Sequence, residues 1–537
     1  MCPQTKPASV HRLAHAVRIM AVPALSVLLS CCGGGGGGGG GGSAGTSGPT
    51  FAPEASVAAQ CAAPRTGVDP ITGVPYPDRK GTLADEQNWL ASWTSDLYLW
   101  YAEVTYPNFP GYATAVDYFN VLKTGAVTAS GKPKDRFHFT YPTATWEALS
   151  QSGVQAGYGA TWVIVSQTAV QRIVVVGYTE PNSPATNLAP PLARGAQVLS
   201  VDAVSINDNT QAGAKTLNAG LFPANAGELH TFGIQDPAGT MRTIQLTTQN
   251  VTSTPVQNVG TVSGTTVGYM LFNDHIATAE PALISAITTL QAAGVTDLVL
   301  DIRYNGGGYL AIASELAYMI AGPATTAGKT FELQQFNGKH PTTDPVTGQP
   351  IVPTPFLSTS QGFTANPPAN TPLPGLNLSR VFVLTGPGTC SASESVINSL
   401  TGVGLQVIQI GSTTCGKPYG FYPADNCGTT YFSIQFQGVN QLGFGGYSDG
   451  FTPQNGPGAV AGSPATLPGC SVADDFTHAL GDPAEGRLAA ALAFRSAGAA
   501  ACPVASGLWP RAQLRALSAV DGAVFKSPFL TNRVLRR

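Results

Sequence analysis

The strongest constraint on this chain is the alternation of short apolar runs with amphipathic segments between about residues 260 and 410. Residues 267–272 read as a strand, residues 281–293 carry Leu283, Ile287 and Leu290 at helical spacing, and residues 297–302 read as a second strand. A helix at 309–320, a strand at 381–385, a helix at 393–400 and a strand at 405–410 continue the series. Strands that alternate with helices in this way predict an α/β core, a mostly parallel sheet covered by helices. Residues 323–379, dense in Pro, Thr and Asn, read as a long insertion between a helix and the next strand. A last amphipathic helix is expected at 486–497, ahead of a tail over 501–537 that carries no assignment.

The preceding regions follow other periods. Thr82 can cap a helix whose apolar residues Leu90, Trp93, Leu97, Trp100 and Val104 recur three and four apart, and Val116, Phe119 and Leu122 continue the pattern. These segments predict a helical N-terminal domain over 81–150, with the aromatic stripe as core. Over 153–250 the pattern changes to β runs at 161–165, 172–176, 196–201 and 242–247. Their order, with Gly157-Tyr158-Gly159-Ala160 ahead of the first run and the segment RGAQVLSVDAVSI at 194–206, resembles a PDZ domain. The resemblance implies that Gly157, Tyr158, Gly159 and Ala160 form a loop whose backbone N–H groups receive a peptide C-terminal carboxylate, while the peptide adds a strand to the sheet.

Composition bounds the partners. The 537 residues carry 27 Lys and Arg against 30 Asp and Glu, a net charge of −3, which excludes an electrostatic nucleic-acid binder. Arg12 and Arg18 precede an apolar run at 19–29, which fits a signal-peptide core over residues 1–30 and is too short to span a bilayer. The sequence Leu28-Leu29-Ser30-Cys31 resembles the lipobox of bacterial lipoproteins, which implies lipidation of Cys31. A run of ten Gly at 33–42 follows and reads as a flexible tether, so residues 31–80 are taken as anchor, tether and linker. The expected address is the bacterial cell envelope, facing the periplasm or cell surface, with membrane contact through the lipid anchor only. Export permits disulfides. The remaining Cys32, Cys61, Cys390, Cys415, Cys427, Cys470 and Cys502 include no CxxC pair and no His at metal spacing, so no metal is expected. Proximity favours Cys415 with Cys427 and Cys470 with Cys502.

Three segments fall at carboxyl ends of expected parallel strands, where open α/β sheets place ligands. They are Asp301-Ile302-Arg303-Tyr304-Asn305-Gly306-Gly307-Gly308, Thr389-Cys390-Ser391-Ala392-Ser393-Glu394 and Cys415-Gly416-Lys417-Pro418. Singly, each has a structural explanation: a tight turn, a helix N-cap and a solvated lysine. In order, with 26 residues from Ser391 to Lys417, they resemble the C-terminal processing (tail-specific) peptidase family of serine proteases. The resemblance covers about residues 83–497 and implies a ClpP/crotonase-like catalytic domain over 258–500. It further implies Ser391 as nucleophile, Lys417 as general base, protein or peptide substrates and no cofactor. A Ser hydroxyl needs a base to become nucleophilic, and a Lys serves only when burial or a positive dipole lowers its pKa. The Ala392 N–H, at the start of a helix, and an N–H of Gly306 or Gly307 would form the oxyanion hole. Asp301, Arg303 and Asn305 are read as bracing this loop, Glu394 as anchoring the helix start, Cys390 as packing or disulfide-bonded, and Ser393 as a rival nucleophile.

Two positions depart from the family pattern. Residue 421 is Phe where a Gln commonly helps orient the Lys, and the Ser-to-Lys interval is one residue longer. His138, His230, His275, His340 and His478 stand apart from the three motifs in sequence, which favours a Ser-Lys dyad over a triad. The competing class is a non-catalytic peptide-binding surface lipoprotein on the same fold.

Overall fold

The computed structural model describes residues 50–167 and 171–504 and the pair Arg533–Val534. The expected signal peptide, the Cys31 lipidation site and the glycine tether lie outside the described residues. Six strands form the central sheet, in the order Val256–Thr261, Val267–Phe272, Asp297–Asp301, Arg380–Thr385, Gln406–Gly411 and Gly469–Ser471. The first pair is antiparallel and every other pair is parallel. Val267–Phe272 and Asp297–Asp301 are buried along their whole length, which is why they read as continuous apolar runs rather than alternating ones.

Successive side chains leave a strand on opposite faces. Met270 and Phe272 therefore join Leu298, Leu300 and Val383 under the helices Ala279–Ala292, Leu310–Ala321 and Ala392–Gly402. Tyr269 and Leu271 face the other way, with Phe382, Ile408 and Ile410, onto the helix Gly486–Ala497. The insertion at 323–379 is less irregular than its composition suggests. Its strand Thr330–Phe336 pairs antiparallel with Phe436–Val439, a partner too distant in sequence to leave a local signal.

Thr82 caps the helix Leu83–Leu97: its hydroxyl accepts from Asp85 N, and the Asp85 carboxylate accepts from Thr82 N at 2.8 Å. Trp100 and Val104 lie beyond the end of that helix. Trp89, absent from the expected stripe, stacks on Trp93 with ring centroids 5.4 Å apart and packs against Tyr431. Tyr431 belongs to the hairpin Ala424–Asn426/Thr429–Phe432, whose second strand pairs with Phe139–Pro142. The N-terminal region is thus built onto chain that follows Lys417.

Residues 154–252 contain an antiparallel sheet in the order Met241–Thr247, Leu229–Gln235, Gln197–Val201, Arg172–Thr179 and Ala160–Gln167, with the helix Gln211–Leu221 against it. Four of these strands follow the expected runs; Leu229–Gln235 was not expected. Arg194 joins this unit to the core by donating to Tyr304 Oη at 2.6 Å and Asp474 Oδ1 at 2.8 Å.

The disulfides correct one expected pairing. Cys470 bonds Cys502 as expected, but Cys427 bonds Cys61 and Cys415 bonds Cys390. Sequence proximity misleads because the sheet brings distant strand ends together. Among the described residues, no helix is long and apolar enough to cross a membrane.

Candidate active site

The strands Asp297–Asp301, Arg380–Thr385 and Gln406–Gly411 are neighbours in the sheet, so the loops at their carboxyl ends converge. The first loop is fixed by a buried ion network. Arg303, 1% exposed, donates to Asp301 Oδ1 at 2.9 Å, Asp474 Oδ1 at 2.6 Å and Glu485 Oε1 at 2.7 Å. Tyr269 Oη donates to Asp301 Oδ2 at 2.7 Å. A buried guanidinium needs such pairing, because its charge is otherwise uncompensated.

Asn305 is the clasp between the first loop and the second. Its Oδ1 accepts from Gly307 N at 2.9 Å and from His275 Nδ1 at 3.0 Å. Its Nδ2 donates to Phe272 O, while its own carbonyl accepts from Cys390 N and Ser393 Oγ, both at 3.1 Å. Ser393, the expected rival nucleophile, thus has its hydroxyl engaged at this junction. The Gly307 amide is engaged by Asn305, and its carbonyl accepts from His275 N, so of the two expected glycine donors Gly306 is the one not held this way.

His275 stands apart from the motifs in sequence yet touches the first one in space. Burial pushes its imidazole down to about 3, so it is neutral, donating from Nδ1 to Asn305. The strand-end rule would have found it, since His275 lies three residues beyond the carboxyl end of Val267–Phe272. The expectation that every His stands away from the site is corrected at this position.

Ser391 precedes the helix Ala392–Gly402 with φ 62° and ψ −116°, a conformation that costs a non-glycine residue about 1–3 kcal/mol and recurs at functional sites. Its hydroxyl is buried and makes no hydrogen bond, to Lys417 or to any other group, in this structure. Ala392 opens the helix, where amides and the dipole favour negative charge.

Glu394 ties the second loop to the third. Fully buried, it accepts from Ser391 N at 2.9 Å, Lys417 N at 2.8 Å, Gly416 N at 2.8 Å and Thr414 Oγ1 at 2.5 Å. Burial raises its pKa against these donors. The Cys390–Cys415 disulfide adds a covalent tie between the same two loops. Cys390, Glu394 and Cys415 lie close enough to suit a metal, but the two sulfurs are bonded to each other. Gly416 has φ +85°, and a Cβ there would meet Ser448 O at 2.3 Å, so the turn that delivers Lys417 requires glycine.

The Lys417 pocket is completed by residues outside all three motifs. Its Nζ lies 4.3 Å from the ring centroid of Phe421 and 5.0 Å from that of Phe137. Burial lowers its pKa to about 7, against the opposing pull of Asp135 and Glu394 and aided by Arg136. Asp135 accepts from Tyr98 Oη at 2.7 Å and Phe137 N at 3.0 Å. Arg136 donates to Cys415 O at 2.5 Å and to Gly416 O and Ser448 O at 3.3 Å. His138 Nε2 donates to Phe119 O at 2.8 Å, and burial pushes this imidazole down to about 4. No motif flags residues 135–138; the signal the sequence offers is the charged and aromatic run Asp135-Arg136-Phe137-His138 within the expected N-terminal domain.

The loop over Gly157, Tyr158, Gly159 and Ala160 is closely packed. Tyr158 is buried, its Oη donates to Gly220 O at 2.9 Å, and its carbonyl accepts from Ala185 N. Gly159 O accepts from Glu180 N at 2.6 Å, while Gly157 pairs with Gln249 and Ala160 with Thr179. The strand Ala160–Gln167 that follows lies at the end of its sheet.

The pattern of Peptidase family S41 matches residues 266–420, the stretch that holds all three motifs. A curated relative, the carboxyl-terminal-processing protease of Picosynechococcus sp., is 25% identical over 277 residues, which is 50% of this chain and 56% of the relative. The chain thus spans little more than half the length of that relative. A solved structure from Bacteroides fragilis, provisionally described as an S41 protease, is 22% identical, covering 79% of this chain and 98% of its own with a TM-score of 0.53. That likeness is one of fold.

Proposed function

We propose that this chain, which carries a peptidase S41 domain over residues 266–420, is a serine endopeptidase acting through Ser391 and Lys417. The observation that carries the proposal is Lys417 itself: fully buried, with a pKa near 7, on a loop bolted by Glu394 to the Ser391 amide. Neutral Lys417 takes the Ser391 proton as Oγ attacks the scissile carbonyl. The Ala392 and Gly306 N–H groups receive the developing oxyanion, a role in which one donor is worth about 100- to 1,000-fold in rate. The Lys417 ammonium then protonates the leaving amine, and water hydrolyses the acyl-enzyme by the reverse sequence of proton transfers. Hydrogen-bond contact between Ser391 and Lys417 forms as substrate binds, since such bonds often tighten only in the Michaelis complex.

Substrate C-termini are assigned to the edge of Ala160–Gln167 behind the Gly159 turn, by strand addition. Cys31 is assigned as the lipid anchor that holds the enzyme at the bacterial envelope. Phe421, standing where the family pattern has Gln, favours the second reading, a peptide-binding protein without turnover. Turnover of casein by wild type, abolished in Ser391→Ala and Lys417→Ala, supports the enzyme. Equal turnover by all three overturns the assigned residues, and peptide binding without any turnover establishes the second reading.

A further inference from the structure

Among the described residues, Arg533–Val534 is the part of the tail that forms a strand, and its place is specific. It pairs in parallel with Gly308–Tyr309, Gly308 opposite Arg533 and Tyr309 opposite Val534. Gly308–Tyr309 directly follows the expected oxyanion glycines. Arg533–Val534 also lies against Tyr419–Gly420, the short strand that begins two residues after Lys417.

The inner edge of Gly308–Tyr309 is already occupied. Tyr309 N donates to His275 O at 2.8 Å, and Gly307 O accepts from His275 N at 3.1 Å. In a strand, alternate residues direct their backbone groups to opposite edges, so the N–H and C=O of Gly308 face away from His275. That outer edge is where Arg533–Val534 pairs. Gly308 has φ +140°, and a Cβ there would meet His275 O at 2.4 Å, so only glycine lets the backbone come this close to His275 while still offering its outer edge.

We infer that the outer edge of Gly308–Tyr309 is a strand-binding site for an extended polypeptide, and that the chain fills it with its own Arg533–Val534 as an internal competitor of substrate. The inference rests on the peptidase reading for its consequence. A strand bound there runs between the loop that offers the oxyanion donors and the strand that follows the base, which is the line a scissile segment takes to reach Ser391. Main-chain pairing supplies the attraction, so the site accepts many sequences and the tethered segment holds a high local concentration.

The test uses the full chain and Val534→Pro, whose ring cannot sustain strand pairing. In a Ser391→Ala background, amide exchange at Gly308 is expected to accelerate at least tenfold on adding Val534→Pro. With Ser391 intact, Val534→Pro is expected to lower KM for a reporter peptide about tenfold at little-changed kcat, and a synthetic peptide of residues 525–537 is expected to inhibit that variant competitively. Unchanged Gly308 exchange overturns the docking. Faster exchange with unchanged KM, or inhibition that is not competitive, overturns the competition. If neither chain turns over peptide, the peptidase reading fails, and the exchange result alone decides whether the strand site exists.

Discussion

Ser391 and Lys417 belong to one site but are held by different means. Around Ser391 the work is done by hydrogen bonds from groups within a few residues of it or of Asn305: the Glu394 carboxylate, the Asn305 carbonyl and the amides they bind. Around Lys417 it is done by exclusion of water, with Phe137 and Phe421 over the amine and Asp135 and Arg136 setting the local field. Hydrogen bonds fix a position, whereas an apolar cage fixes a protonation state. In the proposed mechanism the nucleophile needs the first and the lysine base needs the second.

The sharpest test of that contrast is Lys417→Met. Peptide hydrolysis is expected to fall by about four orders of magnitude, as for loss of a member of a hydrolytic set. Stability is expected to move the other way. The folded pKa near 7 lies below the unfolded value of about 10.4, so the unfolded chain holds the extra proton and wild-type stability rises with pH between roughly 7 and 10. Lys417→Met removes that dependence and is expected to raise stability by on the order of 4 kcal/mol below pH 7. Chemical denaturation at pH 6 and pH 9 checks it; a variant less stable at both would show that the amine is not penalised by burial.

Glu394→Gln strikes the joint between the two halves. The amide replaces acceptors of several donors, so about 3 kcal/mol of stability and about 100-fold in kcat are expected to be lost, read by thermal melts and turnover. The Cys390–Cys415 bond spans 25 residues and ties the same loops; Cys390→Ser with Cys415→Ser is expected to cost about 3 kcal/mol in denaturant melts. A double variant as stable as wild type would leave the joint to Glu394 and to the Cys415 N–H on Thr389 O, at 2.9 Å.

Smaller effects report on the cage. Wild-type kcat/KM is expected to rise with pH up to about 7 and then level off as Lys417 loses its proton. Asp135 raises the Lys417 pKa, so Asp135→Asn is expected to shift that rise to lower pH and make the variant severalfold faster than wild type at pH 6. An unmoved profile would remove Asp135 from the pocket's electrostatics. Phe421→Leu keeps the cage dry but removes a ring face, worth about 1 kcal/mol to a cation, and is expected to move the same profile slightly toward acid.

The same contrast explains what could be read from sequence. The core strands and helices were legible because each is buried by a local pattern, as in Val267–Phe272 and Ala392–Gly402. The Ser391 side was legible because its supports sit in the motifs with it. The Lys417 side was not: Asp135, Arg136 and Phe137 come from about 280 residues upstream, and desolvation leaves no motif. The same distance hid the Cys61–Cys427 pairing and the partner of Thr330–Phe336.

Cys61 and Cys427 close a covalent ring of chain that contains both Ser391 and Lys417, the bridge spanning 366 residues of sequence. A single backbone cut anywhere in that ring leaves no free fragment, because the two pieces stay joined through the bridge and through the packed body. Surface stretches such as the one bearing Val352, 67% exposed, lie within it. If the chain cuts polypeptides as proposed, the bridge makes it tolerant of its own chemistry: a nicked molecule migrates as an intact one until it is reduced.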